Sequence, residues 1–328
     1  MSATTLFKPS SNGSACTKLP ILPGFRVYHI AEMLNAIVEA ASWQALMGMT
    51  DSTTILRALV LDLVKKRVRA ALGRFVPAAQ LDGFWNLFYD TRAGVAGGIV
   101  RSIMSASRSE HQYVFPMHLD LVVPRGTGVY GLSRWRRFFG AAGYVQDVER
   151  PAHWWDFGPT FSRSATLRSV DNPPRVIRII EAVGDNILPA ILCGPHTSSF
   201  NVFTASTFYC FYPRLFLRDQ NLVRKDAVNG EPMGMFNFGL TTYLTTGDMP
   251  MACGDACPAI WRNTFGLRGV GVFRWGGSLA YREAGEDGFE KRSYLWRIRG
   301  ANDHDGHVCS NHFCPNVGFG RPLVSFDN

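Results

Sequence analysis

Four cysteines near the end of the chain form two close pairs. Cys253-Gly-Asp-Ala-Cys257 is a C-x₃-C pair and Cys309-Ser-Asn-His-Phe-Cys314 a C-x₄-C pair, each followed directly by proline. Two thiol pairs from distant segments supply the four ligands of a closed, tetrahedral Zn²⁺ site, and thiolates suit zinc because both are soft. Such a site leaves no position for a reacting water, and its binding energy goes into folding. The expectation is structural zinc held by Cys253, Cys257, Cys309 and Cys314, with His312, His304 or His307 close enough to replace one thiolate. The competing readings are buried free thiols and a disulfide. An odd count of 7 cysteines, in a chain that opens with no signal-peptide pattern, does not look like a disulfide scaffold.

A second constellation lies in the middle of the chain. Gly94-Val-Ala-Gly97-Gly98 is small and turn-forming, Ile99 to Ser105 reads as a short helix, and His118-Leu-Asp120-Leu-Val-Val-Pro124 ends an apolar strand. This order resembles the nucleotidyltransferase (polymerase-beta-like) fold over about residues 90–182. The resemblance implies a glycine turn whose backbone amides approach phosphates, and strand carboxylates that hold Mg²⁺. On that footing Gly97 and Gly98 would bind nucleotide. Asp120 would be a catalytic metal ligand, and Glu181, on the run Arg175–Ala182, a second one. The family's strand carries Asp-x-Asp, because residues i and i+2 share a face. Here His118 stands where the first aspartate is expected, and imidazole is a poor ligand for a hard cation. The expected outcome is a nucleotidyltransferase-like fold that binds without catalysing. An active Mg²⁺-dependent nucleotidyltransferase is the alternative.

These residues need elements to hold them. Residues 1–20, rich in Ser, Thr, Pro and Gly, read as a disordered tail. A helical segment over 21–90 begins with a helix from about His29 to Met47. Asp51, Ser52 and Thr53 offer caps for a second helix, whose Leu56, Val60, Val64, Val68 and Leu72 recur every four residues. A third helix runs from Pro77 to about Tyr89. The core is expected over 91–215, with a helix at about 129–142 and a hairpin made of Ser162–Val170 and Arg175–Ala182. Residues 216–328, where apolar runs alternate with glycine-rich turns, read as a β-rich module closed by zinc. The fold class is therefore α+β.

Smaller signals favour plain packing. Arg134, Arg136 and Arg137 interleave with Trp135, Phe138 and Phe139, as nucleic-acid surfaces do. At helical spacing the three aromatics make a core stripe and the arginines a solvated face. The run Lys65 to Arg74 reads the same way, although together the two basic helices are an alternative nucleic-acid surface. Cys193-Gly-Pro-His196 reads as core plus turn, because no third group can be named to orient a nucleophile and base.

Whole-chain composition sets the limits. The 328 residues carry 34 Lys+Arg against 26 Asp+Glu, a net charge of +8, and 46% are hydrophobic. That is globular composition, and the basic excess leaves room for an acidic partner such as a nucleotide or nucleic acid. No apolar run is long enough to span a bilayer, so no membrane partner is expected, and the cytoplasm or nucleus is the expected compartment. The blocks Cys257-Pro-Ala-Ile-Trp-Arg262, Gly269-Val-Gly-Val-Phe-Arg-Trp-Gly276, Trp296-Arg297 and Cys309 to Pro315 are similar to a family of uncharacterised proteins from mushroom-forming (basidiomycete) fungi. That resemblance implies the same domain order and the same cysteine pairing, and no activity.

Overall fold

A cap on the wrong side of a helix divides the first expected element in two. Ser42 takes extended backbone and accepts from the Ala45 amide at 3.3 Å, so α1 (Phe25–Ala40) stops and α2 (Trp43–Ser52) starts afresh. Thr53 repeats the device, accepting from the Leu56 amide at 3.2 Å and opening α3 (Thr54–Leu72). Along α3 the predicted stripe is the buried one, with Val60, Val64, Val68 and Leu72 all at 0% exposure. The third helix follows as α4 (Leu81–Asp90). This computed structural model describes residues 25–105, 118–125, 131–151, 160–171, 174–224, 240–251, 253, 257–275, 289–298 and 309–315. The expected tail, His304 and His307 lie outside those residues.

The glycine tract that reads as a turn is also a strand. Gly94–Ala96 forms β1, Gly98–Met104 α5, His118–Val123 β2 and Gly131–Ala141 α6. Then come β3 (Tyr144–Pro151), β4 (Phe161–Ser169), β5 (Val176–Ala182), a short α7 (Leu188–Ile191), β6 (Asn201–Phe203) and β7 (Thr207–Cys210). The last third supplies α8 (Pro213–Leu217), β8 (Gln220–Leu222), β9 (Thr241–Tyr243), β10 (Arg262–Asn263), β11 (Gly271–Arg274) and β12 (Leu295–Trp296).

Eight strands form one sheet in the order β11-β7-β6-β1-β2-β5-β4-β3. Within it β2 and β5 run parallel, and the other described neighbours are antiparallel. Alternation gives the sheet two apolar faces. Leu119, Leu121, Val123, Ile177 and Ile179 pack under the helices, against α3 and the Trp135–Phe139 stripe of α6. Val122, Ile180 and Ala182 face the other way, into a second core with Phe200, Tyr212 and the cysteine segment.

That second core corrects the expected boundary at residue 215. Strand β11 belongs to the main sheet, pairing Gly271–Arg274 with Cys210–Thr207 of β7. The cysteine region covers the sheet's second face instead of forming a module apart. Its described strands are also short. β8 pairs with β9 and β10 with β12 in two small two-stranded sheets, and turns make up most of the rest.

Candidate functional site

The four predicted cysteines meet. The sulfurs of Cys253, Cys257, Cys309 and Cys314 all lie within 4.8 Å of one another, and all four residues are buried. Tetrahedral Zn–S bonds of about 2.3 Å place sulfurs about 3.8 Å apart. Cys253 Sγ and Cys309 Sγ are 4.0 Å apart, so the donor set fits a soft, four-coordinate ion. His312 is exposed, and the four sulfurs are complete without it.

The turns that aim these thiols are built from hydrogen bonds across the two segments. Asn311, fully buried, donates to the Met251 carbonyl at 2.9 Å, to the Met249 carbonyl at 3.3 Å and to Cys253 Sγ at 3.5 Å. Its own carbonyl accepts from the Cys314 amide at 2.9 Å, which closes the second knuckle. Thr246 Oγ1 accepts from the Ser310 amide at 3.1 Å and contacts the Ser310 hydroxyl at 2.9 Å. The Ile298 amide donates to the Pro258 carbonyl at 2.8 Å and pins the first knuckle. Amides and hydroxyls around a thiolate cluster orient the ligands and spread their charge. Hydrogen bonds from Cys253 and Cys257 hold the Cys309 thiol low, while the bonds to Cys253 and Cys309 push Cys257 up. A divalent cation at the centre of the four sulfurs would favour their thiolate forms.

The second predicted site comes together only in part: Gly97 meets Asp120, and Arg178, which the sequence did not announce, joins them. Gly97 adopts φ +77° at the start of α5, and a Cβ there would lie 2.7 Å from Asp120 Oδ2. Glycine is thus required for the turn to approach the carboxylate. On the neighbouring parallel strand, Arg178 stands in register with Asp120. Its Nε donates to Asp120 Oδ1 at 2.6 Å and its Nη2 to Oδ2 at 2.8 Å. His118 Nε2 is 3.9 Å from Oδ2. Burial alone would raise the Asp120 carboxyl; the Arg178 charge, His118 and the hydrogen bonds from Arg178 outweigh it and hold the group below its ordinary range.

Glu181 does not join Asp120. Arg178 shares the face of Asp120, so Glu181, three residues on, points to the opposite face. There it accepts two bonds from Arg163 at 3.1 Å each and one from the Ser162 hydroxyl at 2.6 Å. The expected metal pair of Asp120 and Glu181 is therefore not formed. Gly98 is the first residue of α5, beside Gly97.

His196 completes the surroundings of Asp120 and Arg178 electrostatically. Burial pushes its pKa down to about 4, Arg178 adds to the fall, and Asp120 opposes it. Its Nδ1 contacts the hydroxyls of Ser198 at 2.7 Å and Ser199 at 2.8 Å, in the same turn. Arg134 pairs with Asp90 at 2.9 Å while Trp135 and Phe139 are fully buried, so α6 presents the core stripe that its spacing predicts.

No helix among the described residues is long and apolar enough to cross a membrane. Comparison with known protein families, with curated proteins and with solved structures finds no match to this chain.

Proposed function

We propose that this chain is a non-catalytic binding protein: a nucleotidyltransferase-like core braced by structural zinc at Cys253, Cys257, Cys309 and Cys314. One observation carries the loss of catalysis. Both carboxylate oxygens of Asp120 are engaged by the Arg178 guanidinium, at 2.6 and 2.8 Å. Guanidinium keeps its charge at any working pH, so it supplies permanently the countercharge that a divalent ion would bring. Nucleotidyl transfer requires metal ions to clamp the attacking and leaving oxygens. Here the first carboxylate is replaced by His118, the second is neutralised, and Glu181 is held on the other face by Arg163.

What remains around the Gly97–Gly98 turn suits an anion. Arg178 and His118 are both half-buried, with side chains 37% and 31% exposed. Arg178 gives Nε and one Nη2 hydrogen to Asp120, so a phosphate would meet the guanidinium through its other N–H groups. The ligand class proposed is a nucleotide held through its phosphates with no need for Mg²⁺. Zinc, when bound, would supply a coordinate link between the two cysteine segments. Asn311 and Thr246 keep those segments in the conformation that receives it.

Calorimetric titration of the full chain with a nucleoside triphosphate, with and without Mg²⁺, tests the reading. The expected result is saturable binding unaffected by Mg²⁺, with no pyrophosphate released over hours. Binding that requires Mg²⁺ would contradict the metal-independent site, and pyrophosphate release that disappears in Asp120→Asn would establish the active enzyme instead. Absence of binding in both buffers would remove nucleotide as the ligand.

A further inference from the structure

An apolar cavity of about 260 Å³ lies at the β11 edge of the main sheet, far in character from both polar sites. Its floor is Phe208 and Cys210 of β7 with Phe273 of β11; Trp43 and Met47 of α2 cover one side, and Phe216 of α8 the other. We propose that this cavity is a binding site for an uncharged apolar molecule of about ten carbon atoms, carrying at most one polar group.

The walls are set without a ligand. Trp43 meets Phe208 edge-on at 5.6 Å between ring centroids and Phe273 at 5.5 Å, so three of the lining rings brace one another. Edge-to-face aromatic pairs of this kind hold a fixed geometry. A glycine stands among the lining residues on β11. Gly271 lines the cavity on β11, and a Cβ there would already touch Pro213 at 3.4 Å and Cys210 at 3.5 Å. Any longer side chain at position 271 would grow into the opening. Met47 and Met104 supply flexible thioethers that adapt to different shapes.

The lining also fixes the chemical class. Among the described residues no carboxylate, amine or guanidinium lines the cavity, and Arg101, over the Phe216 ring, pairs with Asp219 at 2.8 Å. The Cys210 thiol is pushed up to about 12 by burial, so it is neutral and acts as a small apolar group. A charged ligand would lose its hydration with nothing to replace it. Gln44 is the amide side chain of the described lining, and it is exposed while its neighbour Trp43 is buried. It therefore marks the open end, where a hydroxyl or carbonyl of the ligand would sit. Size follows by scale: an apolar cavity of about 150 Å³ stays dry and accepts benzene, so this one accommodates roughly ten carbons.

The test uses the full chain labelled at its methionine methyl groups, titrated with 1-naphthol, decan-1-ol and, for comparison, decanoate. The expected result is a saturable one-to-one shift of the Met47 and Met104 signals with both alcohols, and at least tenfold weaker binding of decanoate. Met47→Trp and Leu217→Trp add volume to the lining from two different helices, at partly buried positions rather than fully buried ones. Each is expected to weaken 1-naphthol at least tenfold while thermal stability is kept or raised. Unsaturable shifts, shifts spread over all methionines, undiminished binding in two folded Trp variants, or decanoate binding as tightly as decan-1-ol would each overturn the proposal.

Discussion

Asp120 and His196 sit close together yet respond to acid differently. His196 is held at about 4 against an ordinary 6.5, mainly by burial. Between those values the unfolded chain takes a proton that the folded chain refuses. Stability therefore falls as pH drops from about 6.5 towards 4, and the contribution is complete above that window. Asp120 is depressed as well, so its contribution is present at neutral pH and is lost only below the carboxylate range. Urea unfolding midpoints at pH 7.5 and 5 read the first effect. The account predicts a lower midpoint at pH 5 and a shallower loss in His196→Asn; an identical loss in that variant would contradict it. At this scale the sequence told part of the story. Asp120 and Gly97 stand out by type and spacing, and they do meet. Arg178 could not be picked out, because nothing local links it to a residue 58 positions earlier. Only the parallel register of β2 and β5 brings the two together. Asn311 escaped for the same reason: its partners Met249 and Met251 lie about sixty residues away.

Helix α3 shows how far periodicity reaches. Its four-residue repeat names the buried face before any contact is known, and Val60, Val64, Val68 and Leu72 lie against the helical side of the sheet. Leu72→Ala is expected to cost about 2–5 kcal/mol, the range for a leucine removed from a packed interior. Ile55, at 64% exposure on the same helix, is expected to tolerate alanine within about 0.5 kcal/mol. Chemical denaturation of the two variants checks the contrast, and equal losses would mean that α3 packs by another face. Strands were harder to read for physical reasons. β1 is three residues long and begins with glycine, so it carries no alternation to detect. The edge strand β3 mixes Tyr144, Val145, Gln146 and Asp147, with Tyr144 buried and Val145 exposed, and its pairing with β4 depends on a bulge between Gln146 and Val148. The α2 start at Trp43 was hidden inside a continuous helical pattern, because a serine cap weighs less in sequence than the apolar residues around it.

Across the whole molecule, one sheet is covered on one face by helices and on the other by the cysteine segment. A boundary at residue 215 looked natural from composition, yet β11 returns to the sheet and Cys253, Cys257, Cys309 and Cys314 belong to its second core. Metal bound at the cysteines would hold down a layer of the central fold, and its loss is expected to reach the core that Tyr212 and Trp296 share. The two sites make opposite demands on metal: one offers four thiols, the other an aspartate already matched by Arg178. Elemental mass spectrometry, after dialysis against Zn²⁺ and Mn²⁺ (a reporter for Mg²⁺) and removal of free ions, reads both at once. The account predicts one zinc per chain, lost in Cys253→Ser and in Cys309→Ser, and no manganese retained. A chain without zinc, or one that keeps manganese and loses it in Asp120→Asn, would contradict it.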